Sequence, residues 1–151
     1  MARRRARELA FRTLFQAERG GTPVLDVWRQ VRQDVSESDE EDDAYGDSLD
    51  REGLAFAERL VRSYHEHGEE IDGRLRAVVE GWSFGQMNQT DLNVLRLAAT
   101  EMLYEAGVPG KVTIEMAVRT AKKFGGEESG RFVNGVLAKL YRELGAAEAG
   151  G

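Results

Sequence analysis

Apolar positions recur every three or four residues along most of the chain, the spacing of one face of a helix, and no alternating Val/Ile/Thr-rich run interrupts them. The first stretch, residues 3–19, aligns Ala6, Leu9, Ala10, Thr13, Leu14 and Ala17, and Gly20-Gly21 ends it. Thr22-Pro23 reads as the cap and first residue of a second helix carrying Val24, Val27, Trp28, Val31 and Val35. Leu54, Ala57, Leu60, Val61 and Tyr64 mark a third helix. Ile71, Leu75, Val78, Val79 and Trp82 mark a short fourth, broken by Ser83-Phe84-Gly85. Asn88 or Thr90 caps the fifth, with Asp91 in its first turn, where the helix dipole favours an acid. That helix carries Leu92, Val94, Leu95, Leu97, Ala98, Ala99, Met102 and Leu103 nearly all round, which predicts the central, most buried helix. After the Gly107-Val-Pro109-Gly110 stop, Ile114, Ala117, Val118 and Ala121 form a sixth stripe ending at Gly125-Gly126. Phe132, Val133, Val136, Leu137, Leu140, Tyr141 and Leu144 form the last. About seven helices without a strand predict one all-α domain over residues 1–145.

Charge divides the chain unevenly. Residues 34–50 hold nine acids and no base, and removing those nine charges turns the formal net charge from −6 to +3. Residues 1–33 carry eight arginines against three acids. The overall acidity therefore says little about partners, whereas the layout of a basic head, an acidic segment and a mixed body says more. The stretch 36–47 has almost nothing to bury and reads as a mobile acidic loop, and residues 146–151 read as a flexible tail. The absence of cysteine excludes disulfides, thiolate zinc sites and cysteine nucleophiles. No apolar run reaches membrane-spanning length, and the N-terminus lacks the apolar stretch of a leader, so a soluble cytoplasmic protein is expected.

Catalytic constellations are not found in the pattern. His65 and His67 stand two apart on a predicted helix, about 200° around its axis, and do not converge on a metal. The acids of 34–50 lack the spacing and glycine of a calcium loop. Asp91, Glu101 and Glu105 share a helix face with no acid–base partner in view, and Gly125-Gly126 matches no nucleotide fingerprint. No enzyme, cofactor or metal is expected.

Nucleic-acid features are richer. On the first helix Arg4, Phe11 and Phe15 fall on an arc away from the apolar stripe, with Arg3, Arg5, Arg7 and Arg12 around them. Arginines that meet phosphates and rings that stack on bases suit single-stranded RNA. Core burial of Phe11 and Phe15 fits the same spacing. On the last helix Phe132 lies at the edge of its stripe, beside Arg131, Lys139 and Arg142. The preceding loop, Gly126 to Gly130, offers backbone N–H groups that could receive a phosphate. An edge phenylalanine also fits half-buried core.

Several motifs now coincide with one family. Arg3-Arg-Arg-Ala-Arg-Glu8 with Leu14-Phe-Gln16 resembles the opening of NusB-type antitermination factors. So do Thr90 through Glu101, Pro109 through Glu115, Ala121-Lys-Lys-Phe-Gly125 and, most specifically, Ser129-Gly-Arg-Phe-Val-Asn-Gly-Val-Leu137. The likeness spans nearly the whole chain except the acidic segment and the tail.

The resemblance implies two three-helix subdomains plus an extra helix and no enzymatic activity. It also implies binding of boxA RNA together with ribosomal protein NusE, within a complex with NusA and NusG on RNA polymerase at ribosomal RNA operons. By the same resemblance Arg3, Arg4, Arg5 and Arg7 match an RNA-contacting arm, to which the helix geometry adds Arg12. Phe132 matches a base-stacking ring, with Arg131 beside it and Ser129 in the same motif. Phe15 stands where relatives have a tyrosine, keeping the ring without the hydroxyl. Glu128 stands where an acid tempers RNA affinity. Asp91, and Glu101 on the same helix, are expected at the NusE-facing surface, and Thr100 replaces a bulkier residue. Other readings are a protein–protein adaptor and a module associated with ribosomal RNA methyltransferases or ribosome maturation. A homodimer that covers the RNA patch also stays open.

Overall fold

The computed structural model describes residues 3–38, 49–79, 81 and 83–150, and among these it contains six α-helices and one short 3-10 turn, with no strand. The helices are α1 (Arg4–Gly20), α2 (Val24–Ser38), α3 (Arg51–Val78), α4 (Gln89–Tyr104), α5 (Gly110–Gly125) and α6 (Glu127–Gly150); the turn is Phe84–Gln86. The acidic residues 39–48, and Trp82 of the fourth predicted stripe, lie outside the described residues.

The expected ends of α1 and α4 are found, whereas α2 opens one residue later than expected, at Val24, with Pro23 and not Thr22 supplying the first helical carbonyl, to the Val27 N–H. Gly21 adopts a left-handed conformation (φ 63°) and its N–H reaches the Ala17 carbonyl, closing α1. Asp50 caps α3 by accepting from the Gly53 N–H at 2.8 Å. Asn88, rather than Thr90, caps α4, accepting from the Asp91 N–H at 2.7 Å.

Six helices stand where seven were expected because the third and fourth join. They form the 28-residue α3, bent at His67, whose φ of −121° and ψ of 20° leave the helical region. The His67 ring stacks on Tyr104 with centroids 4.4 Å apart, and Tyr64 and Arg96 converge on Asp72 across the bend. Burial raises the Tyr64 phenol well above its ordinary pKa, partly offset by the Arg96 charge, so it remains a donor to Asp72 at neutral pH. Three boundaries also move. α2 continues through Ser38, three residues into the expected loop. α6 begins at Glu127, so Glu127–Gly130 is its first turn and not a loop. It also runs to Gly150, so the expected tail from residue 146 is helical through that residue.

α4 occupies the centre. It packs on α1, α3, α5 and α6, and every residue from Asp91 to Glu101 is buried. Phe56, Leu60, Ile71, Leu75, Leu95, Leu137 and Leu140 are the bulky apolar side chains most completely removed from water. α1 packs on α2, α3 and α4. The face of α5 turned inward carries Thr113, Met116, Ala117, Thr120 and Ala121. Ile114 and Val118, expected in that stripe, are only half-buried. The shift has a polar cause: the Thr113 hydroxyl donates to the buried Glu101 carboxylate.

Candidate nucleic-acid interface

The polar arc of α1 carries Arg4, Glu8, Phe11, Arg12, Phe15 and Arg19, residues that a period of 3.6 places together. Glu8 receives Arg4 at 3.2 Å from its own helix and Lys123 at 3.1 Å from the end of α5. One carboxylate thus gathers two cations from different elements. Phe11, open to two readings from the pattern, is core at 5% exposure. It forms a wedge between two more accessible rings, Phe15 at 5.9 Å and Phe124 at 5.2 Å between centroids. Arg12 is exposed and Phe15 half-buried.

Phe15, Arg19, Gln89 and Thr90 line a shallow cleft of about 370 Å³. A second cleft of about 430 Å³, between the start of α4 and the start of α6, is lined by Met87, Asn88, Asp91, Glu128, Ser129 and Phe132, among others. Gly125 lines the second cleft and lies beside Thr90, which lines the first. A Cβ there would stand 2.4 Å from Ser129 Oγ and 2.8 Å from Ser129 Cβ, so glycine permits the close approach to Ser129, while Thr90 Cγ2, at 3.4 Å, is in ordinary contact. The neighbouring Gly130 is required by the stem of Lys122, whose Cγ would lie 2.6 Å from an added Cβ.

Within the second cleft Ser129 is buried and its hydroxyl donates to the Gly125 carbonyl at 3.2 Å. Phe132 is half-buried, Glu128 and Arg131 are exposed. Asp91 is 7% exposed. Its Oδ2 accepts from Asn88 Nδ2 at 3.2 Å, while its Oδ1 has no hydrogen-bond donor. Because Glu127 and Glu128 occupy the first turn of α6, acids already face that dipole end, and the anion-receiving loop expected there is not formed.

Two of the residues predicted for the site are turned elsewhere. Arg7 and Glu101, expected to contact RNA and a protein partner respectively, bind each other in the interior. Nε and Nη2 of Arg7 reach the two carboxylate oxygens at 2.8 Å, with 5% and 1% exposure for the pair. This is a bidentate, desolvated ion pair bridging α1 and α4, with Thr113 of α5 as a third member. Arg3 adopts a left-handed backbone (φ 54°) and lies over the Phe56 ring at 4.8 Å, on the α3 side of α1. Arg5 is half-buried. Arg4, Arg12 and Phe15 thus share the α1 face, while Asp91, Glu128, Ser129 and Phe132 share the second cleft. Sequence reasoning missed Phe124 and Lys123. Their signal was an aromatic between two lysines and two glycines at the end of a helix, beyond the reach of its core.

Known proteins match this arrangement along its length. The NusB family profile matches residues 4–142. Transcription antitermination protein NusB of Thermus thermophilus is 50% identical over 146 residues, covering 97% of this chain and 94% of that protein. The chain belongs to the NusB family. The same-named protein of Deinococcus deserti is also 50% identical, over 96% of this chain and 83% of its own length. Among solved structures, Thermotoga maritima NusB superposes with a TM-score of 0.77 at 34% identity, covering 93% and 91% of the two chains. A structure of antitermination factors NusB and NusE in complex with dsRNA superposes with a TM-score of 0.78 at 25% identity, covering 94% and 97%. Among the described residues no helix is long and apolar enough to cross a membrane, and no group of three or more His, Asp or Glu could hold a metal ion.

Proposed function

We propose that this chain is a non-enzymatic RNA-binding antitermination factor of the cytoplasm. It captures boxA-type single-stranded RNA together with NusE, in the complex that NusA and NusG form on RNA polymerase at ribosomal RNA operons. The supporting observation is a pair of neighbouring clefts, one lined by Phe15 and Arg19 and the other by Phe132, with Gly125 of the second beside Thr90 of the first and Arg4 and Arg12 on the α1 face. In this reading Arg4 and Arg12 are assigned to phosphates and Phe15 and Phe132 to bases. Asp91 is assigned to the NusE-facing side, where its carboxylate meets a donor from the partner. Arg7 and Glu101 act only by fixing α1 against α4.

The reading is tested by fluorescence anisotropy of a labelled boxA-type RNA, with and without NusE, against a scrambled single strand and a duplex. Selective binding to the boxA strand that tightens with NusE is expected. Equal weak binding to all three RNAs, unchanged by NusE, would overturn it.

A further inference from the structure

We propose that Phe124 is a second base-stacking platform, serving a nucleotide beside the one that Phe15 receives. The proposal rests on the RNA-binding reading and extends it to a residue that lies within a quoted motif but was given no role from the sequence. Phe124 is 45% exposed, more than any other large apolar side chain among the described residues. Such exposure costs hydrophobic stabilisation, yet the ring is held in place. One side packs on Phe11 at 5.2 Å, and Lys123 Nζ sits 5.4 Å from its centroid. Lys123 is itself anchored to Glu8, which also holds Arg4. One acid between two cations leaves net positive charge beside an open aromatic face, the pairing that single-stranded RNA requires: a π surface for a base and a cation for the adjoining phosphate.

The position agrees with that chemistry. Phe124 is joined to Phe15 through their shared neighbour Phe11, and it precedes Gly125, which lines the Phe132 cleft and lies beside Thr90 of the Phe15 cleft. A strand running from the α1 face to Phe132 would therefore pass this ring. The other exposed apolar side chains, Val112 and Tyr141, lack this setting; Tyr141 is laid against Gly110, whose Cβ position is 2.3 Å from its ring.

The test compares wild type with Phe124→Leu, Phe124→Ala and Phe124→Trp, each checked for fold by circular dichroism. The probe is a boxA-type RNA carrying 2-aminopurine at successive positions, read by anisotropy and base fluorescence. Phe124→Leu and Phe124→Ala should both weaken binding roughly 5- to 100-fold and relieve quenching at one 2-aminopurine position, while Phe124→Trp restores both. Wild-type affinity and quenching in Phe124→Leu would overturn the proposal, because leucine keeps the contact with Phe11 and removes only the aromatic face. If wild type itself binds no RNA, the RNA-binding reading fails and this proposal with it.

Discussion

Arg7 and Glu101 are separated by 94 positions in the chain and by 2.8 Å in the fold. Their burial shows what a single residue's type cannot tell. An arginine in a run of arginines reads as part of a solvated arm, and only the partner on α4 reveals that this one is turned inward. Removing either partner leaves an uncompensated charge in the interior. Arg7→Ala and Glu101→Ala should each cost about 3–5 kcal/mol of stability in urea unfolding, with the double replacement Arg7→Met/Glu101→Leu recovering much of the loss. RNA affinity of the folded fraction should be unchanged in the double variant; a large loss would return Arg7 to the binding surface. Phe132 gives the opposite expectation. It is half-buried at a cleft rim, so Phe132→Ala should weaken RNA binding by about 1–3 kcal/mol in anisotropy titrations while leaving the fold intact by circular dichroism.

Helices were the most legible elements, because their stripes are long and their ends carry glycine, proline or Asn88. The burial of α4 followed from apolar residues recurring nearly all round it, and its polar Asn93, Arg96 and Thr100 are buried with them. The join of the third and fourth predicted helices did not. The polar run from His65 to Glu70 looks like a break, but Gly68 remains helical and His67 absorbs the bend by stacking on Tyr104. The start of α6 was misplaced for a related reason: Ser129 and Gly130 resemble loop residues, whereas here they allow close approach to Gly125 and Lys122. That correction has a consequence for binding. With Glu128 in the first turn of α6 and lining the cleft, a strand bound there on the proposed path would bring its phosphate near this acid. Glu128→Gln should raise RNA affinity several-fold at low salt and less at high salt, as Debye screening predicts. At the other end of the same cleft, Asn88→Ala removes the α4 cap and should lower thermal stability by about 1 kcal/mol.

Across the whole molecule, net charge is a poor guide. The acids are concentrated in 34–50, and the basic face of α1 lies on a different element. The fold class and the family motifs were readable because they depend on local periodicity and short spacing. The proposed path between the two clefts was not, since it depends on Thr90 of α4, Phe124 and Gly125 of α5 and Ser129 of α6 being brought together by the fold. If four or five phosphates are neutralised along that path, the logarithm of affinity should fall with the logarithm of salt at a slope near −3. That is roughly a 60-fold loss between 50 and 200 mM salt. A flat response in a salt titration would exclude the phosphate-binding arm.

The location of the RNA is the central claim, and photocrosslinking reads it most directly. A boxA-type RNA carrying 4-thiouridine at successive positions would be irradiated on the intact protein and its adducts mapped by mass spectrometry. Adducts within residues 4–19, 86–91 and 124–132, reduced by an excess of unlabelled boxA RNA but not by scrambled RNA, are the predicted result. Adducts concentrated on α2 or around the α3 bend at His67 would contradict the account.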